Sequence, residues 1–401
     1  MKIEKLRVKN FKVYQDTEIK SLPNLCVFLG ANGSGKSTLF DVFGFLSDAL
    51  KSDVKTALNK RGGYKEVYYK NGSGPIEFEI KFRNPTIEGK QQPLITYELA
   101  IDVEKNSTVI FISKEILSYR RGKHGKAFQF LKFAKGEGFA ITNEEEFEVD
   151  KQEFNEQREV QTLDNQTILA LKGLGQFQKF KAISSFRRLL DNWYVSNFQI
   201  QAAQTVEDTG LSEHLSTTGN NLAQVTKYIY ENHPETFQLI LDKMKLRVPG
   251  IEKVEATETE DGRIVLKFRD GSFKDPFISR FVSDGTIKMF AYLILINDPS
   301  PHPLLCIEEP ENYLHYDLLL ELAEEFREYA NKGGQVFIST HSPDFVNALK
   351  LPELFWLSKN EGHTSIKRAS DDENVVNLFN EGEPLGALWK QGYLMGSGPR
   401  N

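Results

Sequence analysis

The octapeptide Gly30-Ala31-Asn32-Gly33-Ser34-Gly35-Lys36-Ser37 constrains this chain more than any other stretch. It satisfies G-x-x-x-x-G-K-[ST] in full. It lies between a continuous apolar run, Leu25-Cys26-Val27-Phe28-Leu29, and a segment whose apolar positions Leu39, Phe40, Val42, Phe43, Leu46, Ala49 and Leu50 recur at helical spacing. A run that is apolar on both faces suits a strand buried in a parallel sheet, so the order is strand, glycine turn, helix. Glycines let successive backbone N–H groups converge on phosphate oxygens, and the helix N-terminus adds the positive end of its dipole. In that frame Gly30, Asn32, Gly33, Ser34, Gly35, Lys36, Ser37 and Thr38 cradle a nucleotide phosphate. Lys36 reaches the β- and γ-phosphates, and the Ser37 hydroxyl ligates Mg²⁺, so ATP and Mg²⁺ are the expected cofactors.

The rest of the 401 residues divide around this loop, and the length allows two or three folding units. Two strands precede the loop strand, Ile3 to Phe11 and Thr17 to Ile19. From Val67 to Ile141 the pattern is alternation, as in Ile76-x-Phe78-x-Ile80-x-Phe82, which predicts an antiparallel sheet. An acidic stretch from Asn143 marks a boundary. Beyond it Leu163 to Phe198 and Leu222 to Leu246 carry helical periodicity. Val254 to Phe268, with an Asp261-Gly262 turn, reads as a hairpin. Three strand–helix alternations come next: Gly285 to Ile296, Leu304 to Glu308, Asp317 to Tyr329, Gln335 to Ser339, Pro343 to Leu349 and Glu353 to Leu357. That rhythm predicts a parallel sheet. The expected fold class is α/β. Residues 1–145 hold the loop and the antiparallel subdomain, 146–250 an inserted helical lobe, and 251–401 the second half of the sheet domain.

The second chemical signal is Leu304-Leu305-Cys306-Ile307-Glu308-Glu309-Pro310-Glu311, an apolar strand ending in acids. A buried parallel strand delivers its C-terminal residues to the crevice where open α/β sheets bind ligands. Glu308 then faces the Mg²⁺ shell, and Glu309 accepts a proton from the attacking water, a role that contributes ~10²–10⁴-fold in rate.

These residues together resemble ATP-binding-cassette ATPases of the soluble branch that contains RecF-like, SMC-like and overcoming-lysogenisation-defect proteins. Within it the chain looks like the bacterial AAA family ATPases of anti-phage defence loci. The resemblance rests on Ile3-x-x-Leu6-x-Val8-x-Asn10-Phe11, the glycine loop, Gly219-Asn220-Asn221-Leu222, the signature-like turn Ser283-Asp284-Gly285-Thr286, Ile307 to Glu311 with Leu314-His315, and Ser339-Thr340-His341-Ser342-Pro343. It implies an ATPase head in which Ser283 and Gly285 bind the γ-phosphate held by an opposite copy. Two sites are then completed in one head-to-tail homodimer, which higher assembly could extend. It also implies that His341 contacts the γ-phosphate or the attacking water and that His315 shapes the loop after it. In place of the usual aspartate stands Glu308, one methylene longer. Gln199, Gln201 and Gln204 are candidates for a glutamine loop and equally for surface residues. Phe11 and Tyr14 are candidates for adenine stacking, with Phe11 better suited to the core.

Composition narrows the partners. Fifty basic and fifty-six acidic residues give a net charge of −6, so any DNA contact must come from a local patch. The stretch Tyr119 to Lys126 and the cluster Lys179, Lys181, Arg187 and Arg188 are such patches. Neither a signal-peptide pattern nor 18 uninterrupted apolar residues is present, so a cytoplasmic protein without a membrane span is expected. Cys26 and Cys306 sit in apolar runs and read as buried thiols. About sixty residues lie beyond His341, too few for a toprim nuclease domain, and Asp371-Asp372-Glu373 reads as a polar loop. A GTPase is excluded because Asn59-Lys60 and Asn331-Lys332 lack the aspartate of a guanine reader. The expected function is therefore an ATP-driven switch that acts through a separately encoded nuclease or toxin, or on DNA. The alternative is a RecF-like repair ATPase without a toxin partner.

Overall fold

Along Ile76–Arg83 the apolar residues Ile76, Phe78, Ile80 and Phe82 alternate with charged ones, and all four are buried. A period of two puts them on one face of a strand. This strand lies third in an eight-stranded sheet of the computed structural model, which describes residues 2–83, 94–119, 128–143 and 157–398. The sheet order is Tyr14–Lys20, Lys2–Phe11, Ile76–Arg83, Leu94–Val103, Ile110–Tyr119, Phe128–Ala134, Glu137–Ile141, Arg158–Thr162, with neighbours antiparallel throughout. The antiparallel sheet expected over Val67–Ile141 therefore exists, and it recruits the two N-terminal strands as well.

The chain forms two units: Met1–Trp193 with Leu351–Glu383 and Leu388–Asn401, and Tyr194–Lys350 with Pro384–Ala387. In the first, Leu25–Gly30 is buried at all six residues and pairs in parallel with Leu354–Asn360, which pairs antiparallel with His363–Arg368. The helix Lys36–Lys51 comes directly after the glycine loop, and its aromatic residues lock it in place. Phe40 meets Phe28 edge-on at 6.2 Å, Phe45 meets Phe11 at 5.7 Å, and Phe43 meets Trp193 at 5.2 Å. Each such ring, fully buried, contributes about 1.5–3 kcal/mol by leaving water.

The expected divisions at 145 and 250 differ from the 193/194 and 350/351 boundaries of these units. Residues 144–156, which hold most of the acidic stretch, lie outside the described residues. Residues 157–193 supply the edge strand Arg158–Thr162 and the helices Ala170–Leu174 and Lys181–Asp191, all within the first unit. The physical reason is one apolar face. On Lys181–Asp191 the residues Ile183, Phe186, Leu189 and Leu190 are buried, and Phe186 stacks on Phe82 at 4.5 Å and against Tyr97 at 4.7 Å.

Glu115 ties the same sheet to the helix Ala170–Leu174. Its carboxylate is 1% exposed and accepts the N–H groups of Ala170 at 2.6 Å and Leu171 at 3.0 Å and the Tyr97 hydroxyl at 3.1 Å. Burial pushes this carboxyl from 4.5 up to about 7, with the hydrogen bonds pulling the other way. A carboxyl raised on folding stays protonated in the folded chain after the unfolded chain has ionised, so it opposes folding progressively between pH ~4.5 and ~7. Glu115→Gln should remove that slope. Between pH 5 and 7.5 its urea-unfolding free energy is expected to gain on the order of 3 kcal/mol relative to wild type; superimposable pH profiles would refute this.

In the second unit the helices Leu222–Asn232 and Pro234–Arg247 precede the hairpin Ile251–Glu258 and Arg263–Asp270, whose turn uses Gly262 at φ +76°. Glu207–Asp208 and Phe277–Ile278 flank that hairpin. The helix Asp284–Ile296 is buried from Thr286 onward, and Leu304–Glu308 pairs in parallel with Val336–Thr340. The parallel pairings expected from the strand–helix rhythm are thus present in both units. The Asp371-Asp372-Glu373 run, expected as a polar loop, instead starts a helix. Asp372 accepts the N–H groups of Asn374 and Val375 and caps Glu373–Asn380. Both cysteines are buried thiols outside any disulfide, and no helix among the described residues is long and apolar enough to cross a membrane.

Candidate functional site

In the first unit the glycine loop is held by close backbone approach. A Cβ on Gly30 would lie 2.5 Å from Ser34 Oγ and 2.9 Å from the Leu357 carbonyl oxygen, so only glycine fits. Gly33 and Gly35 adopt φ +76° and +107°, which glycine reaches at no steric cost. Two side chains brace the loop from below: the Tyr14 hydroxyl donates to the Gly35 carbonyl at 2.9 Å and Thr364 Oγ1 to that of Ser34 at 2.8 Å. Lys36 is 6% exposed, and its ammonium donates to the carbonyls of Gly30 at 2.7 Å and Ala31 at 3.1 Å.

Two features show that a phosphate fits here. Among the described residues Ser34 Oγ is buried without a hydrogen-bond partner, and the helix starting at Lys36 has neither a side-chain cap nor an acid in its first turn. A phosphate would satisfy the hydroxyl and the first-turn N–H groups together. Ser37 is exposed on that first turn, where its hydroxyl can serve a hard cation, and Asn32 and Gly33 are exposed at the loop tip.

In the second unit Leu304–Glu308 is buried at its first four residues and exposed at Glu308. Glu309 then takes a left-handed φ of +44°, a conformation that costs a non-glycine residue about 1–3 kcal/mol and is commonest at functional sites. Four contacts enforce it. The Glu309 N–H donates to the Ser339 carbonyl at 2.9 Å, and its own carbonyl accepts from Lys288 Nζ at 3.2 Å. Oε1 stands 3.2 Å from His341 Nε2, and Oε2 accepts from Asn312 Nδ2 at 2.8 Å. His341 is fixed in turn, since its N–H and the Thr340 hydroxyl both donate to Glu311 Oε1 at 2.7 Å. The structure thus brings the expected pair Glu309 and His341 into direct contact.

Glu311 and Lys288 carry positioning roles that the motifs did not assign. A single cation in the otherwise apolar run Ile287–Ile296 was the signal for Lys288. It is 6% exposed. Burial lowers its ammonium from 10.5 to about 8, while the Glu311 and Glu309 carboxylates pull it back up. With Asp284, Phe198, Gln199, Gln204 and Tyr313 it lines a cavity of about 520 Å³. Gln201 lines it too, and Gln204 donates to the Val282 carbonyl at 3.2 Å, just before the Ser283 turn. Ser283 is exposed and caps its own helix, its hydroxyl 2.7 Å from Thr286 Oγ1. Gly285 is required by crowding, since a Cβ there would sit 2.5 Å from the Tyr313 carbonyl oxygen. His315 pairs with Asp317 at 3.3 Å and shapes the turn after Tyr313.

The other candidates resolve differently. Phe11 and Tyr14 are fully buried, so neither can stack on an adenine. Of the basic patches, Arg120 to Lys126 lie outside the described residues. In the second cluster Lys179 pairs with Glu159 at 2.6 Å and Arg187 with Asp191 at 3.3 Å, which offsets the charge of both cations.

A family model described as "AAA domain, putative AbiEii toxin, Type IV TA system" matches residues 25–347, from the loop strand to the segment beyond His341. The chain belongs to this AAA-domain family. It is an ABC-type ATPase of the RecF, SMC and OLD branch. It is 23% identical to the Old nuclease of Escherichia phage P2 across 45% of this chain and 38% of that protein. Over 85 residues it is 35% identical to the DNA double-strand break repair Rad50 ATPase of Pyrococcus abyssi, 21% of this chain and 9% of that one. Over 60 residues it is 38% identical to the DNA replication and repair protein RecF of Lactococcus lactis, 15% of this chain and 16% of that one. The chain spans less than two fifths of the length of each of these relatives. Among solved structures, an SMC head bound to the C-winged helix domain of ScpA aligns with a TM-score of 0.54 at 16% identity, covering 92% of this chain and 97% of that one. The SMC head of Pyrococcus furiosus with an extended coiled coil gives 0.51 at 13% identity, covering 94% and 99%. The fold is therefore that of an ABC-ATPase head.

Proposed function

We propose that this chain hydrolyses ATP with Mg²⁺ and works as a switch, two copies closing head to tail around the nucleotide to control a partner. The observation that carries this reading is the Glu309 carboxylate, gripped by His341 and Asn312 at the end of a buried parallel strand, in a chain that also carries the uncapped glycine-loop helix. The Ser37 hydroxyl and the Glu308 carboxylate would be the protein oxygens for Mg²⁺, which would supply neutralisation of phosphate charge. Lys36 turns its ammonium from the loop carbonyls to the phosphate oxygens. Glu309 takes the proton of a water whose oxygen attacks the γ-phosphorus, and the bond to the bridging oxygen breaks as ADP leaves. His341, 3.2 Å from Oε1, keeps the Glu309 carboxylate oriented. Gly30, Asn32, Gly33, Ser34, Gly35 and Thr38 complete the cradle, and Ser283 with the Gly285 N–H closes the site from the second copy.

For the partner, the family description names a putative toxin of a Type IV TA system and one relative is named a phage nuclease, which supports a toxin- or nuclease-linked role in anti-phage defence; we place that activity in a separately encoded effector. The short RecF and Rad50 matches support a second reading, a repair ATPase that engages DNA without a toxin.

Head-to-tail closure is tested by Ser283→Arg. The variant is expected to bind ATP as the wild type does, to lose ~10²–10³-fold in hydrolysis, the usual cost of removing one transition-state donor, and to stay monomeric with ATP in light scattering. Since Ser283 also caps its own helix, a melting curve should register about 1 kcal/mol of destabilisation. Full hydrolysis by this variant would overturn the closure model.

A further inference from the structure

Two of the seven histidines in the sequence converge away from the loop and the acidic strand end. His214, Asp298 and His302 each present one donor atom, and the three atoms lie within 4.8 Å of one another. We propose that they form a binding site for one transition-metal ion of the zinc class. Two imidazoles and a carboxylate are a borderline donor set, which favours zinc, cobalt, nickel or copper over Mg²⁺ or Ca²⁺.

Each ligand comes from a separately anchored segment of the second unit. His214 sits in the loop before the helix Leu222–Asn232, where Asn221 clamps the backbone: its Nδ2 donates to the His214 carbonyl at 2.9 Å and its Oδ1 accepts from the Ser216 N–H at 2.8 Å. Asp298 lies two residues past the helix Asp284–Ile296 and is 8% exposed, and its Oδ1 accepts from the Ser300 N–H at 2.8 Å. His302 lies two residues before the strand Leu304–Glu308. Its carbonyl accepts from the Tyr329 hydroxyl at 2.6 Å and its ring packs on Tyr194 at 5.2 Å. Outer contacts of this sort orient metal ligands.

The fit requires the donors, which lie within 4.8 Å of one another, to move toward tetrahedral spacing. Zinc bonds of about 2.0–2.1 Å place tetrahedral donors roughly 3.3 Å apart, whereas His214 Nδ1 and Asp298 Oδ2 are 2.8 Å apart. The pair must open by about half an ångström, which the partly exposed His214 allows, its side chain being 41% exposed. Three protein ligands leave a fourth position for water. Bound there, the ion braces the loop of His214 against the end of the helix that begins at the Ser283 turn and the start of the strand that delivers Glu308 and Glu309.

The test uses the untagged full chain, since a histidine tag would itself bind metal. After incubation with Zn²⁺ and desalting, elemental analysis should find about one zinc per chain. Co²⁺ should give the visible absorption bands of a low-coordinate site, and Zn²⁺ should raise the melting temperature by mass action. His214→Ala, at a half-exposed position that leaves the core intact, is expected to weaken Zn²⁺ binding at least ~100-fold, because even an outer-contact loss costs 10–100-fold, and to abolish the thermal shift. Asp298→Asn should behave likewise. Substoichiometric zinc in the wild type, or equal retention by both variants, would overturn the site. None of these readouts depends on ATP turnover, so failure here leaves the nucleotide reading untouched.

Discussion

Lys36→Ala should leave a folded chain whose affinity for ATP falls by at least ~100-fold. A charge-assisted hydrogen bond contributes about 1.5–3 kcal/mol, and the Lys36 ammonium, which now spans two loop carbonyls at 2.7 and 3.1 Å, is placed to make at least two such bonds to the phosphates. Alanine removes both, together with the positive charge that offsets the polyphosphate. The loop itself should persist, because the Tyr14 and Thr364 hydroxyls hold it from the other side and the flanking strand and helix are deeply buried. Titration with a fluorescent ATP analogue reads the effect directly. A dissociation constant within threefold of wild type would remove the phosphate role from this loop.

Glu309→Gln should separate binding from turnover. The amide is isosteric and can still accept from Asn312, so the left-handed turn at φ +44° and its contacts to Ser339 and Lys288 are retained. What it cannot do is accept a proton from water. Loss of a positioned base costs ~10²–10⁴-fold in rate, so phosphate release should fall by that amount while ATP is still bound, and the ATP-closed dimer should accumulate in light scattering. Wild-type turnover in this variant would place the base elsewhere.

Much of the fold was legible because it rests on local periodicity. The apolar run Leu25–Leu29 could only be a buried strand, and alternation over Ile76–Phe82 could only be a strand with one wet face. The strand–helix rhythm after Gly285 matched the observed elements to within a few residues. The helix Lys181–Asp191 was also legible as a helix. Its assignment to the first unit was not, since periodicity shows that Phe186 needs a partner without naming Phe82 or Tyr97. The adenine-stacking residue stayed open for the same reason, and Phe11 takes the core role preferred for it, its ring packed on Phe45 and Phe78.

By itself, then, the sequence determined the chemistry that depends on adjacent residues. Gly33 and Gly35 next to Lys36 and Ser37 mark the proposed phosphate loop because backbone conformation and spacing along the chain are local properties. Only the tertiary structure decided the chemistry that depends on residues far apart. Glu309 and His341, or His214, Asp298 and His302, meet because parallel strands and loop anchors bring them within hydrogen-bond or ligand distance. Lys288 became a positioning residue because packing buried its ammonium beneath the Glu309 carbonyl.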